Sequence, residues 1–297
     1  MVESSQNISA GQKPKPVDFT KYDRRAISYA STFEDPLKAS FIRVIEALTG
    51  KMTILRLVRE FERRGAPQGQ AFWRAALDVM GIELQTPAEQ LERIPKQGPV
   101  IVVSNHPHGM VDGMMFADLI GRVRPDYRIL TRSLLTVIDE VAGSYMIPVP
   151  FPHDPDAQRK GVQMRADAMK HLKDGGVVAL FPSGGVAASE TFFGPAIEGE
   201  WNVFTAKMIR RSGAAVLPVK FQGQNSRAYQ IANQISPMLR QGLLLHEIVH
   251  ALNKPQAPVV GHPIPAEDLV KWQDDPRGFM AWLRDHTLSL DGSAAQA

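Results

Sequence analysis

The sequence predicts an α/β fold in which a largely parallel central sheet is flanked by helices and preceded by a helical amino-terminal extension. Short β-branched apolar runs, such as residues 100–103 and 177–181, alternate with helical segments such as residues 157–173. Strands that alternate with helices are typical of a parallel sheet, because a crossover must carry the chain back before the next strand begins. The same pattern predicts one domain over residues 98–290.

Helical periodicity also dominates the region before the sheet, residues 21–97. Helices are predicted from Pro36 to Gly50 and at residues 52–63 and 68–80, with a short strand at 82–84. In the first of these helices Phe41, Val44 and Leu48 recur at helical spacing. The polar composition of residues 1–20 and 291–297 predicts two disordered tails.

The second of these helices has a basic face. Arg56, Arg59 and Arg63 lie opposite its apolar residues at about 100° per residue. A basic amphipathic helix suits docking on an anionic membrane surface. An ordinary helix that packs its apolar face on the domain and leaves its arginines in water has the same pattern, so the sequence leaves both interpretations open.

Strands and helices are predicted to alternate regularly in the α/β domain. Strands are predicted at residues 100–103, 127–130, 146–149, 177–181, 215–221 and 258–261, and the clearest helices at residues 114–120, 157–173, 201–211, 238–252 and 276–290.

Composition excludes several classes of function. The chain of 297 residues has no cysteine, which excludes disulfides, thiolate metal sites and cysteine nucleophiles. Its net charge of +3 is too small to indicate a nucleic-acid partner. No apolar run approaches the ~18 residues of a spanning helix, and residues 1–15 lack the apolar core of a signal peptide.

The chemistry is predicted to centre on the turn after residues 100–103. His106, His108 and Asp112 follow this strand, and in open α/β sheets ligands bind at the carboxyl ends of strands. The spacing suits a general base, His106, whose imidazole is oriented by Asp112. The alternative is structural, with the histidines as turn residues and Asp112 as a helix N-cap.

Three other loops follow predicted strands, and a parallel sheet would gather them at the same edge. They are Thr131-Arg132-Ser133, Phe181-Pro182-Ser183-Gly184-Gly185 and Gly223-Gln224-Asn225-Ser226-Arg227.

The order of these motifs resembles the glycerolipid acyltransferases typified by bacterial 1-acylglycerol-3-phosphate acyltransferases. Asn105-His106-Pro107-His108-Gly109-Met110-Val111-Asp112-Gly113 is similar to the family branch in which Pro follows the histidine and Gly follows the aspartate. Phe181-Pro182-Ser183-Gly184 corresponds to the third family motif, Phe-Pro-Glu-Gly, and Val216-Leu217-Pro218-Val219 to the fourth. The resemblance covers roughly residues 98–262.

Three departures from the family pattern concern catalysis and the acceptor. The commoner spacing is His-x4-Asp, whereas His106 and Asp112 are separated by five residues. Ser183 replaces the usual glutamate, and Val186-Ala187 stands where an arginine often holds phosphate. The acceptor headgroup therefore stays open.

The resemblance implies acyl transfer from acyl-CoA or acyl carrier protein to a lysolipid hydroxyl. His106 would be the base and Asp112 its partner, with no cofactor and no metal. The amides of Ser183, Gly184 and Gly185 are candidate oxyanion donors, Arg132 a candidate phosphate ligand, and His108, Asn225 and Arg227 further substrate contacts. The implied location is cytoplasmic, at the inner face of the cell membrane.

Rival hypotheses belong to other classes. One is a lipid-binding peripheral membrane protein with weakened catalysis, favoured by the altered third motif. Another is a metal-dependent hydrolase, because His106-x-His108 with a nearby aspartate resembles a metal pair. A serine hydrolase is disfavoured because Ser183 lacks the Gly-x-Ser-x-Gly elbow.

Overall fold

The computed structural model describes residues 27–33, 35–132, 140–151, 154 and 156–291, with the backbone alone at 31, 32, 132, 140 and 141. The two tails predicted to be disordered therefore lie outside the described residues, except for Asp291. Ser133, which belongs to one of the predicted loops, lies outside them too.

A six-stranded sheet forms the centre of the fold, in the order β3-β2-β4-β1-β7-β8. The strands are β1 (Val100–Ser104), β2 (Tyr127–Arg132), β3 (Met146–Val149), β4 (Val177–Leu180), the hairpin pair β5 (Ala188–Ser189) and β6 (Ala196–Ile197), β7 (Ala215–Lys220) and β8 (Val259–Val260). Within the six-stranded sheet, neighbouring strands are parallel except the edge strand β8, which pairs antiparallel with β7. Strands β5 and β6 form a separate antiparallel pair. The predicted α/β class with a largely parallel sheet is confirmed.

Helices cover both faces of the sheet. They are α1 (Pro36–Thr49), α2 (Lys51–Arg63), α3 (Gln70–Val79), α4 (Ala88–Leu91), α5 (Met110–Gly121), α6 (Glu140–Ser144), α7 (Ala157–Lys173), α8 (Val203–Ser212), α9 (Arg227–Ile235), α10 (Pro237–Gly242), α11 (Leu244–Ala251) and α12 (Pro276–Leu288). Two short 3-10 helices, Tyr29–Thr32 and Ala266–Trp272, complete the described elements.

Strand β1 lies between two hydrophobic cores. Val100 and Val102 face the core shared with α2, α3, α5 and α11, whereas Ile101 and Val103 face the core shared with α7, α8 and α12. Alternate residues of a strand point to opposite faces. Because both faces are covered, β1 is a continuous apolar run and not an alternating one.

Several elements differ from the sequence prediction. The helix predicted at 238–252 is two helices, α10 and α11, and they are preceded by α9, in a segment for which only Arg227 had been assigned, to a loop. The strand expected at 82–84 is reduced to one bridge between Leu84 and Gln256. Strand β2 continues through Thr131 and Arg132, which pair with β3 and are not loop residues.

The apolar stripe that marks α1 in the sequence is not its buried face. Ala39, Ile42 and Glu46 are buried, whereas Leu37 and Leu48 are each 82% exposed, and Phe41 and Val44 are also exposed. Helix α1 therefore presents an apolar surface to solvent. Within the described residues, no helix combines the length and hydropathy required to cross a membrane.

Candidate active site

Asn105 fixes the turn that follows β1. Its side-chain amide donates to the carbonyl of Phe221 at 2.8 Å, and its Oδ1 accepts the Phe221 N–H at 2.8 Å. This paired contact ties the end of β1 to the residue that follows β7, the neighbouring strand. The backbone of His106 is thereby placed at the carboxyl edge of the sheet, where ligands bind in such folds.

One buried carboxylate serves both histidines of the turn. Asp112 Oδ2 lies 2.9 Å from His106 Nδ1, and Asp112 Oδ1 lies 3.0 Å from His108 Nδ1. The His108 N–H also donates to Oδ2 at 2.7 Å. Helix α5 begins earlier than predicted, at Met110, so Asp112 lies in its first turn. The five-residue spacing between His106 and Asp112 therefore still closes a direct contact.

Electrostatics determine which ring nitrogen of His106 is basic. Burial by itself raises the pKa of the Asp112 carboxyl, but hydrogen bonds from His106 and His108 outweigh it and hold that pKa below its ordinary value. An ionised carboxylate only accepts hydrogen bonds, so Nδ1 of each histidine must carry the proton. In the neutral imidazole of His106, Nε2 is then the ring nitrogen that can accept a proton.

Further contacts immobilise His106. The ring of Phe181 stacks on its imidazole at 3.9 Å between centroids. The backbone carbonyl of His106 accepts the Ala187 N–H at 2.8 Å, and the backbone N–H of His106 donates to Glu198 Oε2 at 3.1 Å. Sequence reasoning missed Glu198, since no motif spacing marks it and the contact depends on the chain folding back after β6.

The glycine-rich turn is held mainly by its own atoms. Gly184 donates its N–H to the Phe181 carbonyl at 3.0 Å, and Ser183 Oγ donates to the Gly185 carbonyl at 2.9 Å. The Gly184 amide is therefore engaged within the turn. Of the three predicted oxyanion donors, Gly185 is the one that lines the cavity beside His106. The hydrogen-bond partner of Ser183 Oγ is the Gly185 carbonyl and not a histidine.

His106 lines a cavity of about 430 Å³. The polar side chains on its wall are those of Tyr29, His106, Thr131, Tyr229, Arg240 and Gln241. Among the described residues on this wall there is no Asp or Glu, and the one permanently charged side chain is that of Arg240. The permanent charge on this wall is therefore positive.

Arg240 was not predicted from the sequence, because it lies on α10, outside all of the motifs. Its guanidinium donates to Asn233 Oδ1 at 2.9 Å, which holds the side chain beside the cavity. Burial raises the pKa of the neighbouring Tyr229 to about 12, although the charge of Arg240 opposes this shift. Tyr229 is therefore a neutral hydrogen-bonding group on the same wall.

A second cavity, of about 160 Å³, lies on the apolar side of the site. Residues of α2, α3 and α11 line it, among them the aromatic rings of Phe72 and Trp73, together with Met114 and Met146. Met110 lines both cavities. The second cavity is thus an apolar space that shares one flexible methionine side chain with the His106 cavity.

The remaining predicted site residues lie in other places. His108 is buried against Gly223, where a side chain would come within 2.9 Å of His108 Nε2. Asn225 is buried just before α9, and Arg227 is exposed and donates to the Gly194 carbonyl. Neither lines the His106 cavity. Backbone pairing places Arg132 at the carboxyl end of β2, and the role of its side chain stays a prediction.

The histidines do not belong to a metal cluster in the described part of the chain. Both His106 and His108 direct Nδ1 to Asp112, and no group of three or more His, Cys, Asp or Glu side chains is arranged there to hold a metal ion. The arrangement instead combines an imidazole oriented by a carboxylate, the backbone of Gly185 and a cavity that both line.

Comparison with known proteins identifies the family. No curated protein sequence matches the chain. Among solved structures, the 1-acyl-sn-glycerophosphate (LPA) acyltransferase PlsC from Thermotoga maritima is similar at 14% identity and a TM-score of 0.48, over 90% of this chain and 87% of that one. The sequence profile of the acyltransferase family matches residues 43–247. Since this match spans more than half of its length, the chain belongs to the acyltransferase family.

Proposed function

We propose that the protein is a lysolipid O-acyltransferase that moves a fatty acyl group from a thioester to a lipid hydroxyl. The observation that carries this proposal is the contact of His106 with the fully buried Asp112, at the wall of a cavity that adjoins an apolar space. A base oriented in this way activates a hydroxyl without a covalent enzyme intermediate.

In the proposed reaction, Nε2 of His106 removes the proton of the acceptor hydroxyl. The oxygen attacks the thioester carbonyl, so that a C–O bond forms and the C–S bond then breaks. The departing thiolate takes the proton from the imidazolium, which returns His106 to its starting state. Asp112 stabilises the imidazolium between these two proton transfers. No cofactor is needed for any of these steps.

The tetrahedral intermediate carries a negative oxygen that needs a preorganised donor. We assign this role to the N–H of Gly185, which lines the same cavity as His106. Gly184 serves a different purpose, because its amide closes the turn and its φ of +68° is a conformation that favours glycine.

The apolar cavity that shares Met110 with the His106 cavity is the proposed site of the acyl chain. Its volume of about 160 Å³ resembles that of an engineered cavity of about 150 Å³ that takes up one benzene molecule. A longer chain requires Met110 and Met114 to change rotamer, which unbranched thioether side chains do readily. Chain-length preference is therefore expected to depend on these two methionines.

Arg240 is the proposed ligand of the acceptor headgroup. It is the charged side chain on the cavity wall, and Tyr29, Tyr229 and Gln241 add neutral hydrogen-bonding groups beside it. A guanidinium binds phosphate through two parallel hydrogen bonds. A phosphate-bearing lysolipid is thus the favoured acceptor, even though the arginine common in the third family motif is absent.

The first experiment measures acyl transfer from long-chain acyl-CoA and from acyl carrier protein to a panel of lysolipids. His106→Ala is expected to lose at least about 10³-fold in kcat, whereas the control His262→Ala, at an exposed histidine, retains activity. If the wild-type protein transfers acyl groups to no acceptor but still binds vesicles, the result would favour the lipid-binding alternative.

A second experiment tests the headgroup assignment. Arg240→Met is expected to raise KM for lysophosphatidate about 100-fold while leaving transfer to uncharged monoacylglycerol and the KM for the donor unchanged. Arg227→Met is the matched control, because that arginine lies outside the cavity wall. A raised KM for the donor instead would reassign Arg240 to the phosphates of the acyl carrier.

Membrane docking is proposed to involve α1 together with the basic face of α2. Leu37 and Leu48 are exposed on α1, and Arg56 and Arg59 are exposed on α2. Burial of exposed apolar side chains and attraction to anionic lipids both favour binding to a bilayer surface. This surface would bring the His106 cavity close to lysolipids embedded in the membrane.

Vesicle flotation tests this docking. Leu37→Asn/Leu48→Asn is expected to weaken binding to anionic vesicles at least tenfold, whereas Val162→Asn, at an exposed apolar residue of α7, has little effect. High salt should partially weaken vesicle binding by the wild type, because it screens the attraction between the arginines and anionic lipids. Equal binding by both variants and the wild type would exclude α1 as the docking element.

A further inference from the structure

Glu198 is a buried carboxylate that the proposed reaction does not use. It is 6% exposed, its Oε2 accepts the N–H of His106 at 3.1 Å, and its Oε1 accepts Nε1–H of Trp201 at 3.1 Å. Within the described part of the chain, no Lys or Arg nitrogen lies within 4.0 Å of its carboxylate oxygens. A buried carboxylate whose hydrogen-bond partners are all neutral is costly to the fold, which makes Glu198 a candidate for a role in the site.

The backbone around Glu198 is held firmly from the outside. The Arg284 guanidinium donates to the carbonyl of Glu198 at 2.6 and 3.2 Å, and also to that of Gly199 at 3.1 Å. Trp201 is buried beside it. The carboxylate therefore reaches the His106 turn from a segment that is itself fixed, which is the arrangement expected of a group that positions another.

The same segment lies against the glycine-rich turn. A side-chain Cβ at Gly199 would be 3.7 Å from Cβ of Ser183. Ser183 is the position where the resembled family usually has a glutamate. Glu198 thus brings a carboxylate to the junction of the two loops from a later part of the chain, next to the place where the motif carboxylate is missing.

We infer that Glu198 is a positioning residue for His106, and that it replaces the absent motif glutamate. It fixes the backbone of the base through the His106 N–H, and its negative charge favours the imidazolium that forms during the reaction. This inference rests on the proposed function for its kinetic consequences. The contact itself is independent of any assumption about substrate.

Kinetics of four variants test the inference. Glu198→Ala is expected to lower kcat about 100-fold, as small misplacements of a catalytic group do, with KM for both substrates within about twofold and no fall in Tm. Glu198→Gln keeps the size of the side chain and is expected to retain more activity than Glu198→Ala. Glu200→Gln removes an exposed charge two residues away and should match the wild type.

The rescue variant Ser183→Glu/Glu198→Ala separates positioning from simple folding support. If kcat of the double variant is at least about tenfold higher than that of Glu198→Ala, the result supports the idea that Glu198 replaces the motif glutamate. A parallel loss of Tm and kcat in Glu198→Ala with no rescue would overturn the inference, and so would unchanged kcat in Glu198→Ala.

A spectroscopic measurement keeps this test separate from the proposed function. In a ¹H–¹⁵N spectrum the His106 amide is expected to move upfield in Glu198→Ala, because its charged acceptor is lost. If wild type transfers acyl groups to no lysolipid, the proposed function fails while this shift still supports the positioning contact. An unmoved His106 amide overturns the contact in either case.

Discussion

The two loops that meet at the His106 cavity are built in opposite ways. The loop carrying His106 is tied to the rest of the protein through Asn105, Asp112, Phe181 and Glu198. The glycine-rich turn is held mainly by hydrogen bonds among its own residues, and Gly184 and Gly185 are exposed. The proposed base is therefore fixed without any contact to substrate, whereas the proposed oxyanion side presents a small, open backbone surface.

The largest effect is expected from loosening the rigid loop at Asp112. Asp112→Asn keeps the shape of the side chain but removes the charge that stabilises the imidazolium, so kcat is expected to fall about 10³-fold. Asp118→Asn is the matched control, because Asp118 is also buried on α5 but pairs with Arg74 and Arg122. It should lose stability and retain kcat. Similar kcat losses in both variants would show that α5 as a whole, not the carboxylate, is required.

The open turn is expected to respond differently at its two glycines. Gly185→Ala places a methyl group where no atom lies within 4 Å, so the fold tolerates it, but the methyl enters the space beside substrate. We expect about a tenfold loss of kcat at unchanged Tm.

Gly184→Ala provides the contrast. Gly184 has a φ of +68°, and a Cβ in the left-handed region costs about 1–2 kcal/mol of stability. Thermal unfolding measures this cost, and steady-state kinetics measures any loss of rate. A loss of activity in Gly184→Ala without a loss of Tm would contradict the division of roles between the two glycines.

A smaller effect is expected at His108, the second histidine of the rigid loop. His108→Asn keeps an N–H donor near the position of Nδ1, and we expect kcat within a few-fold of wild type. His108→Leu leaves Asp112 Oδ1 without that donor, and about a tenfold loss is expected. Equal activity in both variants would show that Asp112 is held by His106 and by the His108 backbone N–H, and that the His108 ring is not needed.

The smallest expected effect is on acid stability. The pKa of Asp112 is lowered in the folded protein, so its stabilising contribution is complete above the ordinary carboxyl value of about 4 and is lost as pH falls through the lowered value. The Tm of wild type should therefore fall towards that of Asp112→Asn in this acidic range. Gly185→Ala changes no titrating group, so its Tm should depend on pH in the same way as the Tm of the wild type.

Sequence patterns predicted the sheet better than the helices around it. The β-branched runs of β1 and β4 are buried on both faces, so the residues themselves indicate strands. Residues 227–251 carry helical periodicity as well, but the breaks at Ser236 and Leu243 divide them into α9, α10 and α11. The exposed face of α1 could not be predicted either, because an apolar stripe marks a helix equally well whether it meets a core or solvent.

The sequence by itself determined the alternation of strands and helices and the membership of His106 and Asp112 in one local motif, because these depend on residues close together in the chain. Tertiary structure alone decided that Asp112 also binds His108, that Glu198 reaches the His106 amide and that Arg240 joins the cavity wall. Those contacts join distant segments or depend on where α5 begins. No local pattern encodes them, since they follow from how the sheet edge, α5 and α10 pack together.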